Sequence, residues 1–494
     1  MATRELPLGN SDFQKIREKK QYYIDKTLFI DEFLLSGDEV TLITRPRRFG
    51  KTLNMSMLYY FCDKDMDSRS IFEGLSIMDT DCSYKMNTFP VIFISFKDTK
   101  QNDYVSLLFD VYMHISMLYY KYREIYTFLD SHKENFSNPA YKIFYRTFQY
   151  FEQIDNAAEQ EAIFSIPAKK SVFIKNLSTS LLVLTNAVAT YYNKKPILLI
   201  DEYDTPILTA YAKHYKREMG DFFTILYGST LKDNLSLEKT LLTGIQRVAK
   251  ENIFSGLNNL RVYNVLSEKY SSYFGLTEYE TAKLLEDYGL SLNEAVRRQY
   301  NGYVFGSCPV YNPWSILNYA ADHKLNNYWI GTSGNTLIAE ALKHADSAFY
   351  DDFDRLASDK QAEIEVDIDM ALAEIIGEST DQKPQPTMLN RYLWGLLINA
   401  GYLTVISTSY GNQALVRIPN EEVREAYAGW LSSFAALSTG MFIKLFRYMT
   451  EGDVEHFVKQ YSNMLSQSLS YHDTATDSEA VYHALFLGMC MTLG

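Results

Sequence analysis

Residues 40–62 read VTLITRPRRFGKTLNMSMLYYFC. Val40-Thr41-Leu42-Ile43-Thr44 is a short β-branched run of the kind a buried strand takes. Beyond TRPRRFGKT, Leu53, Met57, Leu58 and Phe61 recur at helical spacing. The link between strand and helix ends in Phe49-Gly50-Lys51-Thr52. A loop that binds a nucleotide needs backbone N–H groups around the phosphates, a lysine on the β/γ-phosphates and a hydroxyl on Mg²⁺, at a helix N-terminus. Gly50, Lys51 and Thr52 fit those roles. The departure from the GxxxxGK[ST] pattern is Arg45, which stands at its first glycine. A side chain there must point away from the phosphates, or the loop is shaped differently.

Three further apolar runs extend the pattern: Val91–Phe96 after Pro90, Ile197–Ile200 after Pro196, and Thr240–Thr243 before Gly244. Continuous runs of this kind suit a parallel sheet covered on both faces, and helices between them make an α/β domain. The run at 197–202 reads ILLIDE. An acid at the carboxyl end of a buried strand can hold the hydration shell of Mg²⁺, and Asp201 is the candidate. Glu202 can orient or deprotonate an attacking water. A strand that simply ends in a charged loop is the alternative, disfavoured by the ordered pairing with Gly-Lys-Thr. Asp204 reads as a supporting group. In LLTGIQRV (241–248), Thr243 is placed to sense the γ-phosphate. Arg247 is a candidate for transition-state charge, in cis or across a subunit interface, with an ordinary salt bridge as the alternative. Arg45, Arg47 and Arg48 can also touch phosphate, or one of them can face a partner.

About a hundred residues separate the second and third strands, longer than one crossover helix requires. Stretches 103–129, 140–154 and 170–192 are helical in period, with aromatic stripes that read as helix core. Residues 270–380 look helical with a break at YNGYVFGSCPVYNPWSI (300–316). Residues 389–431 read helix, strand, turn, strand, helix, with Tyr410-Gly411-Asn412 as the turn and Asn420 as an N-cap, the pattern of a winged-helix-like module. Residues 437–468 are helical again.

The 494 residues are 47% hydrophobic and 22% charged, which excludes disorder as the main state. Twelve Pro and 23 Gly exclude a loop-dominated chain, and a net charge of −13 argues against a whole-surface nucleic-acid footprint. Cys62, Cys82, Cys308 and Cys490 form no CxxC pair, so a reducing, cytoplasmic compartment is expected. No window supplies the roughly 20 apolar residues of a membrane span. There is no HExxH, GxSxG or GxGxxG, the eight histidines do not cluster, and NKxD is absent, which favours ATP over GTP.

The chain resembles the bacterial AAA-ATPase-like proteins, which usually carry a PD-(D/E)xK nuclease-like domain after the ATPase. The likeness rests on DFQKIREKKQYYIDKT (12–27), LITRPRRFGKTLNMSML (42–58), FPVIFISFKD (89–98), ILLIDEYDTPI (197–207), LLTGIQRVAKENIFSGLNNL (241–260), YNGYVFG (300–306), VYNPWSILN (310–318), TSGN (332–335), GYLT (401–404) and IPNEEV (418–423). Arg45 follows that family's own pattern. The resemblance implies an ATP-binding P-loop core of AAA+/STAND type, with Lys51, Thr52, Asp201 and Glu202 in the roles argued above. It also implies that the N-terminal segment packs near the nucleotide base, with Asp12, Phe13, Tyr23 and Asp25 as lining candidates and a structural strap as the alternative. The family's nuclease domain would begin near residue 470, with Glu479 on its first helix. No metal-binding Asp or ExK pair follows before Gly494. The chain is therefore expected not to cut nucleic acid, and to be a fragment or a truncated form with apolar surface at Tyr482, Leu485, Phe486 and Leu487.

The expected organisation is an N-terminal segment (1–38), a P-loop ATPase domain (39–265) with a helical insertion (100–192), a helical domain (266–385), a winged-helix-like module (386–435) and a helical tail (436–494). Arg47, Arg48, Phe49, Gly50, Lys51, Thr52 and Leu53, with Asp12 and Phe13, form the expected nucleotide-binding set. Thr52 and Asp201 are the expected metal groups, and Glu202, Lys51, Arg247 and Thr243 the catalytic ones. The function expected is that of a Mg²⁺-dependent ATPase, a switch or motor for an attached or partner effector. The alternative is a nucleotide-gated nucleic-acid or protein platform with little hydrolysis. Nucleic acid and a second copy of the chain are the candidate partners besides ATP, and no membrane partner is expected.

Overall fold

The computed structural model describes residues 4–154, 157–213, 215–247, 257–329, 361–368, 386–409, 412–425 and 447–468, with a few residues between 349 and 356 and Leu445. The expectations for TSGN, for Tyr410 and Gly411 of the turn and for the 470–494 tail lie outside the described residues. Two compact units emerge: Met1–Arg45 with Gly50–Asn264, and Pro46–Phe49 with Val265–Gly494.

The first unit opens with helices α1 (Phe13–Glu18) and α2 (Leu28–Leu35). Then come β1 (Val40–Thr44), α3 (Lys51–Cys62), the short α4 (Arg69–Phe72) and β2 (Val91–Ser95). The insertion follows as α5 (Tyr104–Lys121), α6 (Arg123–Ser131), α7 (Pro139–Gln153), α8 (Ala157–Ser165) and α9 (Pro167–Tyr192). β3 (Ile197–Asp201), α10 (Thr205–Ala212), α11 (Lys216–Leu231), β4 (Lys239–Gly244) and β5 (Leu260–Tyr263) complete it. The sheet is parallel throughout, in the order β2-β3-β4-β1-β5. Every residue of β1, β3 and β4 is buried, as both-face coverage by helices requires. Register aligns Thr44 with Gly244, Ile43 with Thr243 and Ile200 with Leu242. The carboxyl ends of β1, β3 and β4 therefore share one edge, where open α/β sheets bind ligands. β5 was not among the expected strands. It is an edge strand with half-exposed residues and no continuous apolar run.

The aromatic stripes of the insertion are helix core. Tyr119 stacks on Phe144 with centroids 5.2 Å apart, and its hydroxyl donates to the Ser180 carbonyl. Tyr112 reaches the Phe151 carbonyl in the same way. One expectation needs correction: α9 is long and apolar enough, by length and composition, to cross a membrane. Its Phe173, Leu177, Leu181, Leu184 and Val188 are buried, as in the core helix of a helical lobe.

The second unit contains α12 (Glu278–Asp287), α13 (Glu294–Tyr300), the hairpin β6 (Tyr303–Phe305) and β7 (Cys308–Val310), and α14 (Pro313–Asp322). β8 (Ala362–Glu365), α15 (Pro386–Ala400), β9 (Thr404–Thr408) and β10 (Gln413–Arg417) follow, then a helix over 421–425 and α16 (Val454–Ser468). The stretch expected to be helical thus also carries a hairpin and β8, which joins β9 and β10 in an antiparallel sheet ordered β8-β10-β9. Helix, strand, strand and helix follow one another over 386–425, with Asn420 capping the Val423 N–H.

Candidate functional site

At the start of α3 the loop turns through Gly50, whose φ of +86° is a left-handed conformation that glycine adopts without strain. A Cβ at Gly50 would meet none of the described residues within 4 Å. No acid occupies the first turn, which leaves the positive end of the helix dipole available to an anion. Lys51 is buried, and its Nζ donates to the Arg45 carbonyl at 2.8 Å.

Arg45 itself is fully buried and turns back into the sheet. Its guanidinium donates to the carbonyls of Thr44 at 2.8 Å and Tyr263 at 3.0 Å, at the ends of β1 and β5. Burial pushes its pKa down to about 9, which leaves it charged at neutral pH. The side chain in the place of the first glycine thus points toward strand ends.

Asp201 is the centre of the site. The Thr52 hydroxyl donates to one of its oxygens at 2.9 Å and the Thr243 hydroxyl to the other at 2.5 Å. Three residues from three elements meet through one buried carboxylate. Mg²⁺ bound with nucleotide typically takes one or two protein ligands plus phosphate oxygens and water. A carboxylate and a threonine hydroxyl in hydrogen-bond contact fit that donor set. Among the described residues no cluster of three or more His, Cys, Asp or Glu side chains would hold a metal by itself.

Glu202 has φ +51°, a strained conformation for a residue with a Cβ. Its carboxylate accepts from the Thr205 hydroxyl at 3.0 Å, and it is half-buried. Asp204, read in the sequence only as a supporting group, fastens the end of β4. One of its oxygens accepts from the Ile245 and Gln246 N–H groups at 2.8 and 3.1 Å. Burial raises its pKa to about 6. The Tyr203 hydroxyl donates to the Gln246 carbonyl at 2.7 Å. A Cβ at Gly244 would lie 2.6 Å from the Tyr203 ring and 2.8 Å from Asp204 Oδ1, so only glycine fits there. Arg247 follows this fastened turn. It is half-buried, and its Nε has no hydrogen-bond partner among the described residues.

The remaining expected residues are distributed differently. Leu53 is half-buried in the first turn of α3. The Phe49 ring is fully buried against Tyr303 and Phe305, so only its backbone is available to a phosphate. Arg47 is half-buried, and the Arg48 guanidinium lies 4.2 Å over the Trp314 ring. Asp12 caps α1 through the Lys15 N–H and accepts from the Tyr60 hydroxyl. Phe13 is fully buried, packed on Tyr23 and Phe72, and its N–H donates to Ser56 Oγ at 3.0 Å. Tyr23 donates to Met57 Sδ, and Asp25 accepts from Ser76 and Thr27. These contacts fasten the N-terminal segment along α3 beyond its first turn, and the Phe13 ring is shielded inside the core.

Against known proteins, the profile of the AAA-ATPase-like family, described as predicted AAA-ATPase, matches residues 7–254. That span holds the whole parallel sheet except β5, with Lys51, Asp201 and Thr243. The chain is also 28% identical over 347 residues to an uncharacterized protein in the vnfD 5' region of Azotobacter chroococcum mcd 1. The aligned part covers 69% of this chain and 57% of that relative, so the chain spans little more than half of the relative's length.

Proposed function

The chain belongs to the AAA-ATPase-like family, and from that premise we propose that it is a Mg²⁺-dependent ATPase that serves as a switch or motor for an attached or partner effector. The observation that carries this reading is the hydrogen-bonded set Thr52–Asp201–Thr243 at the carboxyl ends of the strands. Lys51 would neutralise β/γ-phosphate charge, and the N–H groups that open α3 would cradle the phosphates. Thr52 and Asp201 would hold Mg²⁺, which when bound supplies charge neutralisation and orients the phosphates. Glu202 would position water for attack on the γ-phosphorus. Thr243 would register whether that phosphate is present, and Arg247, in cis or from a second copy, would meet developing charge. Cys62 and Cys82 as buried free thiols and Cys308 as a half-buried one support a reducing, cytoplasmic setting.

ATP hydrolysis with Mg²⁺ tests this, comparing wild type, Lys51→Ala and Glu202→Gln with and without DNA. Lys51→Ala is expected to lose binding and turnover. Glu202→Gln is expected to keep binding and lose turnover by about 10²-fold or more. Turnover unchanged in both variants would overturn the reading. Stimulation by DNA would identify nucleic acid as the effector.

A further inference from the structure

Four residues of the nucleotide loop, Pro46–Phe49, group with the second compact unit, and each has a partner there. Phe49 is enclosed by Tyr303 and Phe305, with centroids at 5.0 and 5.1 Å. Gly275, at φ +102°, makes room for it, because a Cβ there would lie 3.2 Å from the Phe49 ring. Arg48 lies over Trp314. The Arg47 carbonyl accepts from the Trp329 indole N–H at 3.3 Å. Pro46 packs where Gly401, at φ +90°, lacks a side chain; a Cβ would come within 2.9 Å of it.

One buried carboxylate ties this cradle together. Glu422 accepts from the Ser315 hydroxyl and from the Trp329 backbone N–H, both at 2.7 Å. Ser315 is next to Trp314 on α14, whose start Asn312 caps. The sequence stretches YNGYVFG, VYNPWSILN, GYLT and IPNEEV therefore converge on one tetrapeptide, although Lys51, Thr52 and Asp201 leave them unused.

Arg48 holds φ +69° without being glycine. That conformation is strained for a residue with a Cβ, and it persists only when the surroundings over-determine it. A phosphate-binding loop acts through the direction of its backbone N–H groups. Here Arg45 replaces the first flexible residue, and the bends that follow are set by what grips the side chains. We infer that Tyr303, Phe305 and Trp314 are positioning residues for nucleotide: they hold Pro46–Phe49 in the backbone conformation that presents the N–H groups of residues 47–49 to the triphosphate. Chain connectivity through Arg45 and Gly50 links the gripped segment to β1 and α3. The inference rests on the proposal that this loop binds Mg·ATP.

The test measures Mg·ATP affinity by calorimetry on the full chain, with thermal melting alongside. Tyr303→Leu and Trp314→Leu remove a cradle ring; Tyr303→Phe and Trp314→Phe keep one. The leucine variants are expected to bind Mg·ATP about tenfold more weakly, the equivalent of releasing the Arg48 strain. The phenylalanine variants are expected to restore binding to within about threefold. Rescue by ring chemistry separates positioning from mere folding, which melting reports. Trp314 is half-buried, so Trp314→Leu carries the test if Tyr303→Leu does not fold. Wild-type affinity in folded leucine variants, with binding lost in Lys51→Ala, would overturn this inference alone. Absence of Mg·ATP binding by wild type would overturn the functional reading, and this inference with it.

Discussion

Arg45 occupies the place where phosphate-binding loops carry a flexible glycine, and its side chain closes the ends of β1 and β5 by donating to the Thr44 and Tyr263 carbonyls. Restoring the general pattern by Arg45→Gly should therefore harm the protein. It leaves two carbonyls short of a donor and opens a void at a fully buried position. The expected loss is about 2 kcal/mol or more, read by chemical denaturation; a variant as stable as wild type would show that the guanidinium does not hold the sheet end. The loop pattern offered two readings of Arg45, a side chain turned away from phosphate or one that touches it, and its contacts with the Thr44 and Tyr263 carbonyls match the first. That Thr52 and Asp201 meet could be anticipated, because the roles expected of them demand fixed residue types at fixed places. The weight carried by Asp204 could not: nothing in DEYD tells that its fourth residue accepts two N–H groups from the turn after β4.

Among the elements, α3 connects two kinds of chemistry. Its first turn carries Lys51 and Thr52, while Ser56 and Tyr60 receive the N-terminal segment. Ser56→Ala leaves the buried Phe13 N–H without its acceptor, at a cost of about 1–3 kcal/mol. The expected signature is faster amide exchange and proteolysis across α1 with protection of β3 and β4 retained; uniform protection would count against a strap fastened at Ser56. Elements with strong periodicity, α3 and the four buried strands, were readable from the sequence. β5 was not, because its residues are at most half-buried and form no apolar run, and β8 sits in a stretch whose composition reads as helical.

For the molecule as a whole, stability should depend on pH through Glu422. Burial raises its pKa to about 7 from an ordinary 4.5. The folded chain keeps a proton there that the unfolded chain releases, so this group's contribution is full below pH 4.5 and is lost as pH rises toward 7. Asp204 acts in the same direction between 3.8 and about 6. Glu422→Gln removes the first term. At about 1.4 kcal/mol for each tenfold change in proton affinity, the stability difference between wild type and variant should change by up to about 3 kcal/mol across that window. Melting curves at several pH values decide it, and a constant difference would show that Glu422 holds no extra proton. The two-unit division with Pro46–Phe49 in the second unit was beyond sequence reading, because it depends on which distant aromatics enclose Phe49.

Arg48 and Glu202 hold left-handed backbone at φ +69° and +51°, and glycine would relieve both at little steric cost. A library of variants sorted for heat resistance alone should drift toward glycine at these two positions, and a library sorted for nucleotide turnover should keep them. On the proposed reading, breeding this protein for robustness would erode nucleotide turnover first at the residues where the two goals pull apart.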